Sequence, residues 1–273
     1  MKASPWRGKK VVITGASEGL GAHLAHVAAA QGAHLTLLAR RQQPLDAQAE
    51  RCRKAGAASV ETVSVDLTDA RGVAERLAGI RRAGEGIDLV VHTVGRSDRG
   101  RALQIPPDQW EAMFRINVLS AVLVAEQLKE SLQERRGSLV LIGSLASKVA
   151  PAGMGSYPAV KFALAGLAQQ LRLELAEEGI HCLLVCPGPI RRDDAGERYR
   201  QLAQSRGIDP KLAAPGGGAK VRALDPVWLS EKILAAAADR KPELVVPSKV
   251  RWLAAIAQLA PSWGDWILRR KMS

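Results

Sequence analysis

The sequence contains few aromatic residues and few cysteines. Aromatic side chains make up 4% of its 273 residues, with six Trp against two Tyr and two Phe. The three cysteines, Cys52, Cys182 and Cys186, include no Cys-x-x-Cys pair, which argues against a disulfide framework and against a zinc site. We therefore expect reduced thiols and no bound metal, with Cys182 and Cys186 packing within a strand.

Long apolar runs are missing as well. No segment approaches the ~18 apolar residues, free of charge, that a transmembrane helix requires. The polar residues 1–10 lack the apolar stretch and the small-residue cleavage site of a signal peptide. These observations predict a cytoplasmic chain, and the 47% hydrophobic content is ample for a core.

Positive charge is in excess. Lys and Arg number 39 against 27 Asp and Glu, which gives a net charge of +12. Such an excess occurs on surfaces that bind nucleic acid, on surfaces that meet membranes or acidic proteins, and on ordinary Arg-rich solvated surfaces. The basic residues are scattered along the chain, so we favour solvation and expect no nucleic-acid partner.

Apolar strands alternate with helical stretches from the beginning of the chain. Residues 9–14 form an apolar run, residues 22–31 an Ala-rich helical stretch, and residues 34–39 a second apolar run. A glycine-rich turn joins the first run to the helix, and in that setting the phosphates of a dinucleotide bind a helix N-terminus. The pattern predicts a βαβ unit with a nucleotide site.

The turn reads Gly15-Ala16-Ser17-Glu18-Gly19-Leu20-Gly21. Gly15 allows a tight turn, Gly19 lets the backbone approach a pyrophosphate, and Gly21 lets the helix pack closely on the strand. An ordinary turn is the less favoured alternative. The predicted cofactor contacts in this turn are Gly15, Ser17, Glu18, Gly19, Leu20 and Gly21.

The end of the second strand selects the cofactor. Folds that bind NAD place an acid here for the ribose hydroxyls, whereas this strand is followed by Arg40 and Arg41, with no acid before Asp46. Guanidinium groups attract a 2′-phosphate that an acid would repel. We therefore predict NADP(H), bound chiefly by Arg40, with Ser17 and Arg41 as further contacts. Two solvated arginines are the alternative.

The alternation continues and predicts one α/β domain, a single Rossmann fold with a doubly wound parallel sheet and helices on both faces. Further strands are expected at residues 59–65, 87–93, 139–143, 180–186 and 243–246, and further helices at residues 48–55, 71–82, 109–132, 157–178 and 225–239. At the end of one strand, Asp66 could reach an adenine. Helix capping by Thr68 or Asp69 is the alternative in that turn.

A catalytic pattern follows the strand at residues 139–143. Tyr157 and Lys161 stand at i and i+4, so on a helix both side chains lie on one face. A nearby ammonium group stabilises a phenolate and lowers the pKa of a phenol, which makes it a usable general acid or base. Ser144, at the strand end, could bind the same substrate oxygen. By itself the Tyr-x-x-x-Lys spacing is weak, because it also occurs by chance in ordinary helices.

Together these motifs resemble the short-chain dehydrogenase/reductase family, of the NADP-preferring type, over nearly the whole chain. The resemblance implies that Tyr157 is the acid/base, that Ser144 orients the substrate carbonyl, and that Lys161 binds the nicotinamide ribose and lowers the Tyr157 pKa. It implies that Asn117, within the helix at 109–132, holds a water molecule in a proton relay. Further implied cofactor contacts are Asp66, Leu67, Val94, Gly95, Tyr157, Pro187, Gly188 and Ile190.

Three positions depart from the family pattern. Asn-Asn-Ala-Gly is replaced by His92-Thr93-Val94-Gly95, so we expect a differently stabilised strand end and a structural, hydrogen-bonded His92. Pro158 directly follows Tyr157, which is tolerable if regular helix bonding starts there. Arg191 and Arg192 follow Ile190, where many relatives place Thr, so cofactor contacts beyond Ile190 are left open.

The last third of the chain carries two less regular segments. Residues 188–222, with eight basic and four acidic residues and the run Gly216-Gly217-Gly218, are predicted to form a substrate lid within a domain at 1–248. Residues 249–273 form an amphipathic extension that carries Trp252, Trp263 and Trp266 beside basic residues. Packing or oligomer contact, peripheral membrane contact and an uncommitted tail are the three interpretations of this extension.

These observations favour an NADPH-dependent reductase of a ketone or aldehyde, with reversible alcohol oxidation and an apolar or lipid-like substrate. One alternative is reduction of a 3-oxoacyl group on an acidic carrier protein, which the basic lid would favour. Another is a non-catalytic NADP(H)-binding regulator, which would have no need of the acid/base residues. The family resemblance implies a homodimer or homotetramer formed through the helices at 109–132 and 157–178.

Overall fold

The computed structural model of the chain describes residues 4–82, 86–191, 201, 204, 207 and 222–272. Within these residues, seven strands form one sheet whose neighbours are all parallel, in the order β3-β2-β1-β4-β5-β6-β7. The strands are β1 (Lys10–Thr14), β2 (His34–Ala39), β3 (Ser59–Ser64), β4 (Leu89–His92), β5 (Ser138–Ile142), β6 (His181–Pro187) and β7 (Glu243–Val246). The predicted doubly wound sheet is confirmed.

Helices cover both faces of the sheet. They are α1 (Gly19–Ala30), α2 (Gln42–Ala55), α3 (Ala70–Arg82), α4 (Pro107–Phe114), α5 (Ser120–Arg135), α6 (Tyr157–Glu174), α7 (Pro226–Ala238), α8 (Val250–Leu259) and α9 (Pro261–Met272). One core packs α1, α2 and α7 on the sheet, and the other packs α3, α5 and α6. Neighbouring residues of β1 illustrate the division: Val11 and Ile13 belong to the first core and Val12 to the second.

All three cysteines are buried free thiols. Cys182 and Cys186 pack within β6, as predicted, and Cys52 lies in α2.

Helix α2 begins at Gln42, earlier than the predicted start at residue 48. Pro44 falls in its first turn, where a proline removes no helical hydrogen bond. That polar first turn lacks the apolar periodicity on which the prediction rested.

The single helix predicted at 109–132 is wrong, because a π-helical turn at Arg115–Leu119 separates α4 from α5. Asn117 lies in this turn and is fully buried. Its Nδ2 donates to the Met113 carbonyl at 3.0 Å. A polar side chain that bonds within its own helix competes with the regular backbone ladder, and π-turns are a common result of such disturbance. The interruption of the predicted helix is therefore centred on Asn117.

Most of the predicted lid lies outside the described residues, but the chain on either side of it is described. Ile190 and Leu224 form an isolated parallel bridge, with Leu224 N donating to Pro189 O at 2.7 Å. Arg191 also forms an ion pair with Asp225, the residue that caps α7. The described residues on the two sides of this segment are thus held together beside the end of β6.

Helices α8 and α9 pack against each other near the end of the chain. Gly264 lies against Ala257, where a Cβ on the glycine would come within 2.5 Å of the Ala257 Cα, and Ala254 is buried. Leu253 of α8 and Leu268 of α9 both line the cavity described below. In the described part of the chain, no helix has the length and apolarity needed to cross a membrane.

Candidate active site

One large cavity of about 820 Å³ opens at the carboxyl ends of the central strands. Doubly wound sheets bind ligands at this edge, at the point where the strand order reverses, which here lies between β1 and β4. The predicted site residues that line it are Gly15, Ser17, Glu18, Gly19, Leu20, Gly21, Arg40, Arg41, Asp66, Leu67, Val94, Gly95, Ser144, Tyr157, Lys161, Pro187, Gly188 and Ile190. Of the predicted set, Asn117 alone is not a lining residue.

The glycine-rich turn leads into the N-terminus of α1. Glu18 is the N-cap residue, and its side chain makes no capping bond to the helix. Gly19 has a φ of +56°, and a Cβ there would meet no atom within 4 Å, so its backbone faces open space. By contrast, a Cβ on Gly21 would lie 2.3 Å from the Gly15 carbonyl oxygen. An uncapped helix N-terminus beside an accessible backbone fits the pyrophosphate of a dinucleotide.

The end of β2 presents two exposed arginines to the cavity. Arg41 Nη2 pairs with Glu18 Oε2 at 2.9 Å, and the two side chains are 65% and 73% exposed. Exposed ion pairs of this kind contribute little to stability and exchange partners readily. An incoming phosphate can therefore compete with Glu18 for Arg41, whereas the Arg40 side chain forms no ion pair within the described part of the chain.

Asp66 is already engaged in a local turn. Its Oδ1 accepts hydrogen bonds from the Thr68 backbone N at 2.9 Å and from Thr68 Oγ1 at 2.7 Å. Burial opposes ionisation of Asp66, but these bonds and the charge of Arg40 outweigh it and hold the Asp66 pKa below its ordinary value. Asp69 Oδ1 accepts from the Arg71 backbone N at 3.1 Å at the start of α3. Asp66 lines the cavity, and Asp69, three residues further along the same turn, bonds the first turn of α3.

Lys161 is a buried cation beside Tyr157. Its side chain is 4% exposed, and Nζ donates to the Ile142 carbonyl at 3.0 Å. The same Nζ lies 5.8 Å from the centroid of the Tyr157 ring. Burial lowers the Lys161 pKa from 10.5 to about 8, because the charged form loses its hydration. Gly95 leaves room for this cation, since a Cβ there would stand 3.1 Å from Nζ.

Tyr157 is the first residue of α6, and Pro158 follows it in the first helical turn. The predicted condition for tolerating Pro158 is confirmed, because regular helix bonding starts here. Ser144 leaves β5 in an extended conformation, and its Oγ accepts from the Ala146 backbone N at 3.1 Å. A hydroxyl that accepts can still donate its one O–H, so Ser144 is able to bind a substrate oxygen.

His92 is a buried structural residue, as predicted. Nδ1 lies 3.2 Å from Thr14 Oγ1, and Nε2 lies 3.1 Å from Ser120 Oγ. Ser120 donates its own proton to the Ile116 carbonyl at 2.7 Å, so its oxygen accepts from His92, which carries its proton on Nε2. Burial, with the Lys161 charge adding to it, lowers the His92 pKa to about 3. The ring therefore stays neutral and ties β4 to β1 and to α5.

Thr93 provides the different stabilisation predicted for this strand end. Its Oγ1 donates to the Thr14 carbonyl at 2.6 Å, and its backbone N donates to Thr14 Oγ1 at 3.1 Å. A Cβ on Gly15 or Gly21 would come within 2.7 Å of the Thr93 hydroxyl oxygen. Thr93 thus fastens the end of β4 directly beneath the glycine-rich turn, where the two central strands diverge.

Asn117 lies behind the cavity wall. Its Nδ2 donates to the Arg96 carbonyl at 3.0 Å, and its Oδ1 accepts from the Arg96 backbone N at 3.2 Å. The side chain therefore holds the segment that leaves β4, next to Gly95. Its implied role in a proton relay stays a prediction. Both Nδ2 hydrogens are already donated, so a water molecule in such a relay would have to donate to the second lone pair of Oδ1 or bind the backbone of the π-turn.

Sequence reasoning missed a buried network that holds the residue before Tyr157. Asp98 Oδ2 accepts from Ser156 Oγ at 2.9 Å and from the Ser156 backbone N at 3.3 Å, and Asp98 Oδ1 accepts from Gln109 Nε2 at 2.9 Å. Beside it, Gly100 forms an isolated parallel bridge with Met154. The only sequence signal was a polar run after β4, which reads as an ordinary loop.

Comparisons with known proteins agree with this geometry. Residues 9–202 match the family model described as short chain dehydrogenase. A 2,3-dihydro-2,3-dihydroxybenzoate dehydrogenase of Bacillus subtilis is 31% identical over 194 residues, which cover 71% of this chain and 74% of that protein. Dehydrogenase/reductase SDR family protein 7-like of Anopheles gambiae is 31% identical over 275 residues, which cover 97% of this chain and 83% of the relative. Hydroxysteroid 11-beta-dehydrogenase 1-like protein B of Xenopus laevis is 38% identical over 174 residues, and the match spans 59% of that protein.

Solved structures share the fold. L-sorbose reductase from Gluconobacter frateurii, complexed with NADPH and L-sorbose, superposes with a TM-score of 0.78 at 24% identity, covering 89% of this chain and 97% of that one. An actinorhodin polyketide ketoreductase with NADPH superposes with a TM-score of 0.74 at 22% identity, covering 88% and 95%. With the family model matched over most of its length, this chain belongs to the short-chain dehydrogenase/reductase family.

Proposed function

We propose that this chain is an NADPH-dependent reductase that converts a ketone or aldehyde to an alcohol, with the reverse oxidation open to the same residues. The observation that carries the proposal is one cavity in which Tyr157, Lys161 and Ser144 lie together with the glycine-rich turn at the start of α1. Phosphate binding at one end and proton transfer at the other are what a nicotinamide-dependent carbonyl reductase requires.

Each residue has a distinct part in the proposed reaction. The bound nicotinamide supplies the hydride. Ser144 donates a hydrogen bond to the substrate carbonyl oxygen and orients it, and Tyr157 donates its phenolic proton to that oxygen as negative charge develops there. The Lys161 ammonium, 5.8 Å from the Tyr157 ring centroid, favours the phenolate that remains. In the oxidative direction Tyr157 accepts the proton instead.

NADP(H) is favoured over NAD(H) by the end of β2. Arg40 and Arg41 line the cavity there, where an acid would be needed to accept from ribose hydroxyls. A 2′-phosphate would take Arg41 from its exposed partner Glu18 and would meet Arg40 directly. The NADPH complexes of the two structural neighbours support the same choice.

The proposed substrate is apolar or lipid-like. The cavity lining includes apolar side chains from three separate parts of the chain, namely Val149, Met154, Val250, Leu253 and Leu268. Arg96 and Arg191, which are exposed, also line the cavity, and they keep open the alternative of a 3-oxoacyl group on an acidic carrier protein. We further propose association through α4, α5 and α6, since each exposes an apolar side chain, namely Phe114, Val122 and Leu173.

Two measurements test the proposal. Titration of tryptophan fluorescence with NADPH and with NADH should show tighter NADPH binding, and Arg40→Ala should weaken NADPH binding alone. Arg71→Ala, an exposed arginine on α3, is the matched control. The chain is then assayed with a panel of ketones and aldehydes, both apolar and carrier-linked, and should oxidise NADPH with at least one of them. Equal affinity for both cofactors would refute the NADP(H) assignment, and binding without turnover on any carbonyl would favour the non-catalytic regulator.

A further inference from the structure

Helices α8 and α9 expose large apolar side chains to solvent. Trp252 is 77% exposed, Leu259 is 87% exposed and Trp263 is 73% exposed, with Trp266 and Ile256 also exposed. Trp252, Ile256 and Leu259 stand at i, i+4 and i+7 of α8, which places them in one stripe. A single exposed leucine needs no explanation, but five large apolar side chains on two adjacent helices indicate a contact surface.

These side chains are not the ones that hold the helices in place. Val250 packs against the second core, Ala254 is buried, and Gly264 lies against Ala257 between the two helices. Leu253 and Leu268 face the cavity. The helix pair therefore has an occupied inner side, while its tryptophans lie on positions that neither the core nor the helix–helix contact uses.

Basic residues accompany the exposed tryptophans. Lys249, Arg251, Arg269 and Arg270 belong to this segment, and Asp265 is the one acidic residue within the described stretch 249–272. The Arg270 guanidinium lies 5.2 Å from the Trp266 ring centroid, so an apolar ring and a charge share one patch. The net charge of the whole chain, +12, adds a longer-range attraction for anionic surfaces.

The charge pattern selects the partner. In a two-fold dimer the same patch of each protomer meets its own copy. The basic side chains of one protomer would then face those of the other, and each protomer's patch would contribute only Asp265 to balance them. An anionic lipid bilayer matches both the exposed tryptophans and the basic residues, because tryptophan prefers the membrane interface and lysine and arginine bind anionic headgroups. We propose that α8 and α9 form a docking surface for an anionic membrane, on which the protein lies without spanning it.

Docking would place the mouth of the cavity near the lipid. Val250, Leu253 and Leu268 belong to the same two helices and line the cavity wall. Lipid-borne carbonyl compounds could then pass from the bilayer to the site along an apolar path. This consequence for substrate supply rests on the proposed reductase function, whereas the docking surface itself does not.

Vesicle binding tests the surface without any need for turnover. The full chain is mixed with phosphatidylcholine vesicles, with or without phosphatidylglycerol, and the bound fraction is measured by co-sedimentation at low and high salt. Binding should require phosphatidylglycerol and weaken with salt. The double variants Trp263→Ser with Trp266→Ser, and Arg269→Gln with Arg270→Gln, should each lower the affinity roughly tenfold or more.

Matched controls distinguish binding through this surface from non-specific binding to vesicles. Leu103→Ser removes a fully exposed apolar side chain elsewhere, and Arg71→Gln with Arg76→Gln removes two exposed charges from α3; neither should change vesicle binding. Unchanged NADPH binding would show that the variants are folded. Vesicle binding that is absent, or indifferent to the Trp and Arg variants, would overturn the proposal. Self-association lost in the Trp variant, without vesicle binding, would assign the surface to a second copy instead.

Discussion

At the scale of single residues, the site depends on a cation buried where water cannot solvate it. Lys161 Nζ donates to the Ile142 carbonyl at the end of β5. Burial favours the neutral form of Lys161 and lowers its pKa to about 8. The positive charge beside Tyr157 is therefore present at neutral pH and is lost as the pH rises through about 8.

This pKa predicts how cofactor binding depends on pH. Because the folded-state pKa of Lys161 is lowered to about 8, the ammonium loses its proton as the pH rises through that value. NADPH affinity of the chain should therefore fall between pH 7 and pH 9.5. Lys161→Met should bind weakly throughout and should lack the step near pH 8. Fluorescence titration across this range measures both, and an equal step in the variant would show that another group titrates.

His92 predicts a loss of stability in acid. Its pKa is lowered from 6.5 to about 3 in the folded chain, so between these values the unfolded chain binds a proton that the folded chain does not. Stability is thus present above pH 6.5 and declines as the pH falls, by roughly 2–3 kcal/mol at pH 4.5. Urea unfolding of wild type and His92→Gln at pH 7 and pH 4.5 tests this.

The variant should lose stability at pH 7, since it breaks bonds to Thr14 and Ser120, but should show a shallower decline toward pH 4.5. His26→Gln, at an exposed position of α1, is the matched control and should follow wild type. A parallel decline in wild type and His92→Gln would contradict the assignment of the acid sensitivity to His92.

At the scale of elements, the start of α6 at Tyr157 is positioned by the loop that leaves β4. Asp98 holds Ser156, the residue directly before Tyr157, while Gly100 pairs with Met154. Asn117 holds the first part of the same loop through the Arg96 backbone. The loop therefore connects the π-turn, the cofactor side of the cavity and the start of α6.

Asp98→Asn tests this connection. One of the two bonded oxygens becomes an amide, so either the Ser156 or the Gln109 contact is lost, and Tyr157 should shift relative to the substrate. We expect kcat to fall roughly ten- to a hundredfold, since small displacements of a reacting group have effects of this size, with NADPH affinity unchanged. Asp108→Asn, an exposed acid at the start of α4, should have no effect. Lowered thermal stability with unchanged kcat would reduce Asp98 to a purely structural role.

Much of this arrangement can be predicted from the sequence because it depends on short-range patterns. Continuous apolar runs mark strands buried on both faces, and the Tyr157–Lys161 spacing places both side chains on one helix face. The Asp98–Ser156 contact joins residues 58 apart in the chain and leaves no periodic signal. The π-turn at Asn117 was also hidden, because the surrounding apolar pattern is compatible with a continuous helix.

At the scale of the whole molecule, the cavity is completed by parts of the chain that lie far apart in sequence. The glycine-rich turn before α1, Tyr157 at the start of α6, and apolar side chains of α8 and α9 all line it. The last of these could not be located from sequence, since an amphipathic helix does not identify what it packs against. The same helix pair carries the surface that we assign to an anionic membrane.

The most direct test of the proposed reaction compares wild type with Tyr157→Phe. With a carbonyl substrate from the panel and saturating NADPH, the initial rate of NADPH oxidation is measured together with NADPH affinity. The phenylalanine keeps the ring and loses the proton donor, so kcat should fall by roughly 10²–10⁴-fold while NADPH affinity is unchanged. A variant that retains wild-type turnover would contradict the assignment of Tyr157 as the acid/base and, with it, the proposed mechanism.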